Sequence, residues 1–103
     1  ITGHISLSKG SIIYNSIIRG PIAIGANTIV KNSYIGPYTS IGKGVNIEKS
    51  VIENSIILNN SKILGIKTPI DSSIIGEGSM IVMESALKKT NKFILGKGSQ
   101  IYL

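Results

Sequence analysis

Residues 33–47, SYIGPYTSIGKGVNI, place a small residue two positions before an aliphatic one three times in succession: Ser33 with Ile35, Thr39 with Ile41, Val45 with Ile47. The unit returns every six residues. An amphipathic helix would instead repeat its apolar residues at three, four and seven, and the stretch also carries Gly36, Pro37, Gly42 and Gly44, so helix is excluded. In an extended strand, residues two apart point to the same side. Each pair therefore shares one face, and the glycines mark corners between pairs.

The same small-x-aliphatic pair runs through most of the chain, with aliphatic members at 7, 13, 18, 24, 30, 35, 41, 47, 52, 57, 63, 70, 75 and 81. Steps of five to seven, mostly six, five, six, make three steps sum to about seventeen. Leu7, Ile24, Ile41, Ile57 and Ile75 then form one vertical stack, and Ile13, Val30, Ile47, Ile63 and Ile81 a second. Ile18, Ile35, Ile52 and Ile70 form a third. Three stacks predict a triangular coil. Three places after each member of the first stack stands Gly10, Asn27, Gly44, Asn60 or Gly78, with Leu95 and Gly98 continuing the series. These residue types enter left-handed backbone angles most easily, so the corner is set independently of the aliphatic spacing.

Energetics explain why such coils must stack. Ordering a hexad costs roughly 1–2 kcal/mol per residue in backbone entropy, while burying its one isoleucine returns about 1.5–3 kcal/mol. A lone coil cannot stand. Neighbours above and below complete the hydrogen-bond ladder and join each isoleucine to a continuous core.

Two places break the rhythm. Residues 64–69, LGIKTP, read as a small outward loop, and residues 84–93, ESALKKTNKF, as a larger insertion with a helical turn beginning near Ser85. The segment 94–103 resumes the repeat and is expected to close the end of the stack. The whole of 1–103 is thus one all-β domain of about five to six coils.

Composition agrees with stacked aliphatic strands. The chain has 23 isoleucines against one Phe, no Trp and no Cys, so neither an aromatic core nor disulfides hold it together. No apolar run approaches the roughly 18 residues of a membrane span, and no membrane partner is expected. The chain opens at Ile1 rather than Met, which reads as a piece of a longer protein; the lack of Cys is compatible with a cytoplasmic origin. The net charge is +6, which raises the question of nucleic acid. Ten of the eleven cations are scattered lysines and Arg19 is the one arginine, whereas nucleic-acid readers cluster arginines beside stacking aromatics. No nucleic-acid partner is expected.

Hexads of the form aliphatic, Gly, two variable residues, small, variable resemble the hexapeptide repeat of left-handed parallel β-helices. The resemblance implies the left-handed coiling, which spacing alone does not give. More narrowly, IIRGPIAIGANTIVKNSYIGPYTSIGKGVNIEKSVIENSIIL, residues 17–58, resembles the carboxy-terminal domain of long-form glucose-1-phosphate thymidylyltransferases. SSIIGEGSMI and FILGKGSQIYL are similar to the end of that domain. For the parent protein this implies a nucleotidyltransferase that joins glucose 1-phosphate to dTTP with Mg²⁺, releasing pyrophosphate and making dTDP-glucose. That chemistry belongs to an amino-terminal domain with a Gly-rich nucleotide signature, which no stretch here matches. The resemblance therefore assigns no catalytic, cofactor-binding or metal residue to this chain. It implies a non-catalytic assembly domain, with a trimer the favoured homo-oligomer.

Hexapeptide repeats also occur in γ-class carbonic anhydrases and in acyltransferases. The first need three histidines for zinc, and this chain has one. An acyltransferase is the enzyme-class alternative, with His4 the sole candidate general base, but no carboxylate nearby in sequence would orient it. Asp71, Glu48, Glu53, Glu77 and Glu84 show no metal-ligand spacing, and the GKG pieces at 42–44 and 96–98 are accounted for by corner geometry. Tyr14, Tyr34 and Tyr38 fall beside inward positions and so point outward, where aromatics anchor interfaces. Tyr34, Pro37 and Tyr38 are the expected subunit contact.

Overall fold

A computed structural model describes residues 3–66, 68–82, 92–93 and 100–102. Every one of the three expected stacks appears as a column of paired strands. On the first face the strands Ile5–Leu7, Ile22–Ile24, Thr39–Ile41, Ile56–Ile57 and Ile74–Ile75 pair in parallel, in that order. Their register places Leu7, Ile24, Ile41, Ile57 and Ile75 over one another. On the second face the pairing runs Ile12–Tyr14, Ile29–Lys31, Asn46–Glu48, Lys62–Leu64 and Met80–Val82, aligning Ile13, Val30, Ile47, Ile63 and Ile81. The third face holds Ile17–Ile18, Tyr34–Ile35, Val51–Glu53 and Ile70–Asp71, with Ile18, Ile35, Ile52 and Ile70 in register. The fold is a left-handed parallel β-helix of about five coils.

The core is the inside of this prism. Val30, Ile35, Ile47, Ile52 and Ile63 are fully buried, because each has an aliphatic residue one coil above and one below; Ile18, at the end of its stack, is fully buried as well. Leu7 holds its place in the first stack yet is 48 % exposed; it lies in the first coil, where among the described residues nothing covers it from below.

The serines that precede the third face prove to be more than spacers. At the corner between the second and third faces, Ser16 Oγ donates to the Tyr14 carbonyl and accepts the Ser33 amide. Ser33 Oγ donates to the Lys31 carbonyl (2.7 Å) and accepts the Ser50 amide (3.1 Å), and Ser50 Oγ repeats this with Glu48 and Ile66. A hydroxyl is the smallest side chain that both donates and accepts, so it satisfies a carbonyl of its own coil and an amide of the next. Among the described residues no buried side-chain polar atom lacks a partner. Ser33→Ala removes the acceptor of the buried Ser50 amide, and a loss of about 1–3 kcal/mol is expected in urea unfolding; an unchanged midpoint would dismiss this role for the hydroxyl.

The first corner is turned as its residue types require. Gly10, Asn27, Gly44, Asn60 and Gly78 have φ of 81°, 59°, 65°, 61° and 70°. Their alternation has a steric cause, since a Cβ at Gly10 would collide with Asn27 Oδ1 and one at Gly44 would stand 2.6 Å from Asn60 Oδ1. Each asparagine covers the glycine of the coil before it.

Residues 64–69 combine two behaviours. Ile66 is fully buried and takes the fourth place on the serine ladder, while Thr68 and Pro69 are exposed. Of the insertion expected at 84–93, only Lys92–Phe93 is described, a strand antiparallel to Gln100–Tyr102. The remainder, with the turn near Ser85, lies outside the described residues, as do 94–99. Gln100–Tyr102 pairs in parallel with Met80–Val82 and sets Ile101 on the second stack.

Candidate functional site

Where outward side chains gather is decided by the same register that buries the isoleucines. On the third face the residue before each inward isoleucine must point out, which lines up Ile17, Tyr34 and Val51 in adjacent coils. Ile17 is 57 % exposed, and Tyr34 and Val51 are half-buried. Beside this apolar column, the residues after the inward isoleucines form a second one: Arg19, Gly36, Glu53 and Asp71. The Arg19 amide donates to the Ile35 carbonyl and the Gly36 amide to the Ile52 carbonyl, while Glu53 is in register with Asp71.

A groove of about 630 Å³ runs along the corner at the other edge of the apolar column. Ile17, Tyr34 and Val51 form one wall, and Asn15, Asn32 and Lys49 the other, with Ser33 and Ser50 between them. All three corner residues are left-handed, with φ of 48°, 51° and 50°. Asn15 Nδ2 donates to Asn32 Oδ1 at 2.6 Å, so the asparagines satisfy one another along the stack.

The three residues expected at a subunit contact are distributed over one face and its edge. Tyr34 stands in the centre of the outward apolar column. Pro37 and Tyr38 sit at the corner leading to the first face, where Tyr38 is 72 % exposed and left-handed, with φ of 60°. Tyr14 is 62 % exposed but lies on the second face, in register with Lys31 and so with Glu48; it is not brought to Tyr34. Reading inward positions alone missed Ile17, Arg19, Val51 and Glu53. The seventeen-residue spacing that joins Ile17 to Tyr34 and Tyr34 to Val51 is present in the sequence and would have found the apolar column.

Arg19 lies with its guanidinium carbon 6.0 Å from the centroid of the Tyr34 ring, within cation–π range. Glu53 leans toward the same level from the other side: a Cβ at Gly36 would stand 2.7 Å from Glu53 Cβ and 3.0 Å from its Oε2. Gly36 is itself buried, with the Glu53 side chain and the Tyr34 ring lying over it.

His4 is exposed in the first coil, and no hydrogen bond to its side chain occurs among the described residues. Its carbonyl accepts the Ile22 amide at 3.1 Å, which gives the residue a place in the backbone ladder. Among the described residues no group of three His, Cys, Asp or Glu side chains converges as a metal site. No helix there is long and apolar enough to cross a membrane.

Against known proteins, the family model described as the GMPPB C-terminal domain matches residues 18–102. The chain is 34 % identical over 100 residues to a glucose-1-phosphate thymidylyltransferase of Streptomyces griseus, covering 97 % of this chain and 28 % of that protein. It is 35 % identical over 101 residues to a glucose-1-phosphate thymidylyltransferase of Streptomyces antibioticus, again covering 28 % of the relative. The bifunctional protein GlmU of Shouchella clausii is 28 % identical over 102 residues, covering 98 % of this chain and 22 % of that protein. The chain therefore spans about a quarter of the length of these relatives.

Proposed function

Since this chain belongs to the family described as the GMPPB C-terminal domain, we propose that it is the carboxy-terminal structural and assembly domain of a sugar nucleotidyltransferase. The observation that carries the reading is the match of nearly the whole solenoid to a quarter of two glucose-1-phosphate thymidylyltransferases. A part that recurs beside a much larger remainder serves that remainder. On this reading the parent joins glucose 1-phosphate to dTTP and releases pyrophosphate, with Mg²⁺ and the reacting groups held by an amino-terminal domain of the same chain, in the cytoplasm. No residue of the β-helix is assigned to that chemistry.

What the β-helix supplies is rigidity and flat outward faces. Each coil is fixed to its neighbours by backbone hydrogen bonds along all three faces, such as Ser40 N to Ser55 O (3.0 Å) on the first, Ile12 N to Thr28 O (2.8 Å) on the second and Ile17 N to Ser33 O (2.9 Å) on the third. A body held in this way presents its outward columns with little entropy left to lose on association. The domain accordingly holds copies of the parent together, with a trimer the expected number.

Light scattering on the chain across a dilution series tests this. A mass above that of one chain that persists on dilution is the expected result. A single-chain mass at every concentration would overturn the assembly role.

A further inference from the structure

We infer that copies of this chain meet corner on face: the corner between the third and first faces of one copy, led by Tyr38, rests on the first face of the next, and three such contacts close a ring. The inference rests on the assembly reading above and adds the two surfaces and the way they pair.

Register gathers an uncharged surface on one side of the prism. The outward residues in the middle of the first face are Ser6, Ala23, Ser40, Ile56 and Ile74. The column after its inward residues reads Ser8, Gly25, Gly42, Leu58 and Gly76. Among the described residues neither column holds a Lys, Arg, Asp or Glu, whereas the second face presents Lys31, Glu48 and Lys62 and the third Arg19, Glu53 and Asp71. The first face is apolar as well as uncharged: Ile56, Leu58 and Ile74 are 43 %, 41 % and 65 % exposed. These three make a ridge on the upper coils, above a shelf of Ala23, Gly25, Ser40 and Gly42.

A second copy of the chain is the occupant this surface fits. Each chain carries a net charge of +6, so two copies repel wherever their lysines approach, and the first face brings no lysine forward. Symmetry then selects what lies on it. Triangular prisms packed face on face around a shared corner close as six, whereas three close when a corner of each rests on a face of the next. Two corners border the first face. The one leading to the second face carries Lys9, Lys43 and Glu77, and pressing it on an apolar face would desolvate charges without partners. The one coming from the third face holds His4, Pro21, Tyr38, Asn54 and Ser72 in register, with no Lys, Arg, Asp or Glu among them.

Tyr38 supplies an independent observation. It is 72 % exposed and takes φ of 60°, a left-handed angle that costs a bulky aromatic more than it costs Asn54 in the next coil. A side chain placed there at such a cost, and left in the open by its own chain, belongs to a contact outside it. With prism axes parallel and coils level, Tyr38 lies opposite Ser40 of the next copy, on the shelf of small residues and beneath Ile56. Asn54 and Ser72 then meet Ile56 and Ile74. Pro37 and Tyr38 take part in this contact, and Tyr34, out on the third face, does not.

The test is sedimentation equilibrium on the 103-residue chain and three variants, with circular dichroism as the fold check. Wild type is expected to show three copies, held as tightly or more tightly as salt is added, since salt screens only the repulsion between copies. Tyr38→Asn should weaken association on the order of tenfold or more and leave the fold intact, because asparagine suits the left-handed angle. Ile56→Lys, at an outward position, should do the same by setting a charge on the face. Tyr14→Ser removes an outward tyrosine from the second face and should leave the mass unchanged. Three copies indifferent to either Tyr38→Asn or Ile56→Lys overturn this contact and leave the assembly role standing. So does any other number of associated copies, a dissociation constant that rises with salt, or a loss from Tyr14→Ser as large as that from Tyr38→Asn. A monomer at all concentrations overturns both.

Discussion

Ile47→Ala lowers the free energy of unfolding by about 2–5 kcal/mol, against a total of about 5–15 kcal/mol for a typical domain. Ile47 is fully buried. It sits in the middle of the second stack, with Val30 one coil below and Ile63 one coil above. The neighbours cannot close the gap, because their spacing is fixed by the backbone ladder; Ile29 N to Val45 O and Asn46 N to Ser61 O are 2.8 and 2.9 Å. The truncation therefore leaves a cavity rather than a collapsed core. Leu7→Ala is the control within the same architecture. Leu7 occupies an equivalent stack position but is 48 % exposed, and its truncation should cost less than about 1 kcal/mol. Urea unfolding of both variants measures the difference, and equal losses would show that stack position, not burial, sets the cost.

How much of this molecule its sequence revealed follows from which signals are periodic and which are chemical. The three stacks were legible because their aliphatic members obey one spacing. The strand register reproduces all fourteen positions, from Leu7 to Ile81. The first corner was legible because Gly and Asn announce a left-handed angle. The other two corners were legible only in part: Asn15, Asn32, Asn54 and Gly65 announce the left-handed angle, but Tyr38, Lys49 and Ser72 also take φ of 60°, 50° and 52°, and nothing in those three residue types signals it. Tertiary context imposes the conformation there: the Tyr38 amide donates to the Pro21 carbonyl at 2.7 Å and the Lys49 amide to the Lys31 carbonyl at 3.0 Å. Ile66 went unread for a related reason. It lies out of step with the aliphatic spacing and fills a corner position that Ser16, Ser33 and Ser50 occupy below it. At the outward face, Tyr34 drew notice by its type, whereas Arg19 and Glu53 are brought beside it only by coil stacking.

Gly25→Ala, a change of one methyl group, should destabilise the chain by about 2–4 kcal/mol, from overpacking and from the hydrogen bonds it strains. Gly25 follows Ile24 at the start of the first corner, directly over Gly42 of the next coil. A Cβ there would lie 2.5 Å from the Gly42 carbonyl carbon and oxygen and 2.8 Å from the Lys43 nitrogen. All three are backbone atoms, so no rotamer change relieves the clash. The coils must part, and parting stretches Gly25 N to Ile41 O (2.8 Å) and Gly44 N to Ala26 O (2.9 Å). The instructive comparison is Gly65→Ala. There φ is +68° but no atom lies within 4 Å of the added Cβ, so only the left-handed backbone is penalised, by about 1–2 kcal/mol. Thermal and urea unfolding of the two variants separate close approach of coils from backbone angle as the reason for a glycine. If Gly25→Ala melts with the wild type, the coils have slack at this corner, and the rigidity assigned to the domain as an assembly element loses its basis there.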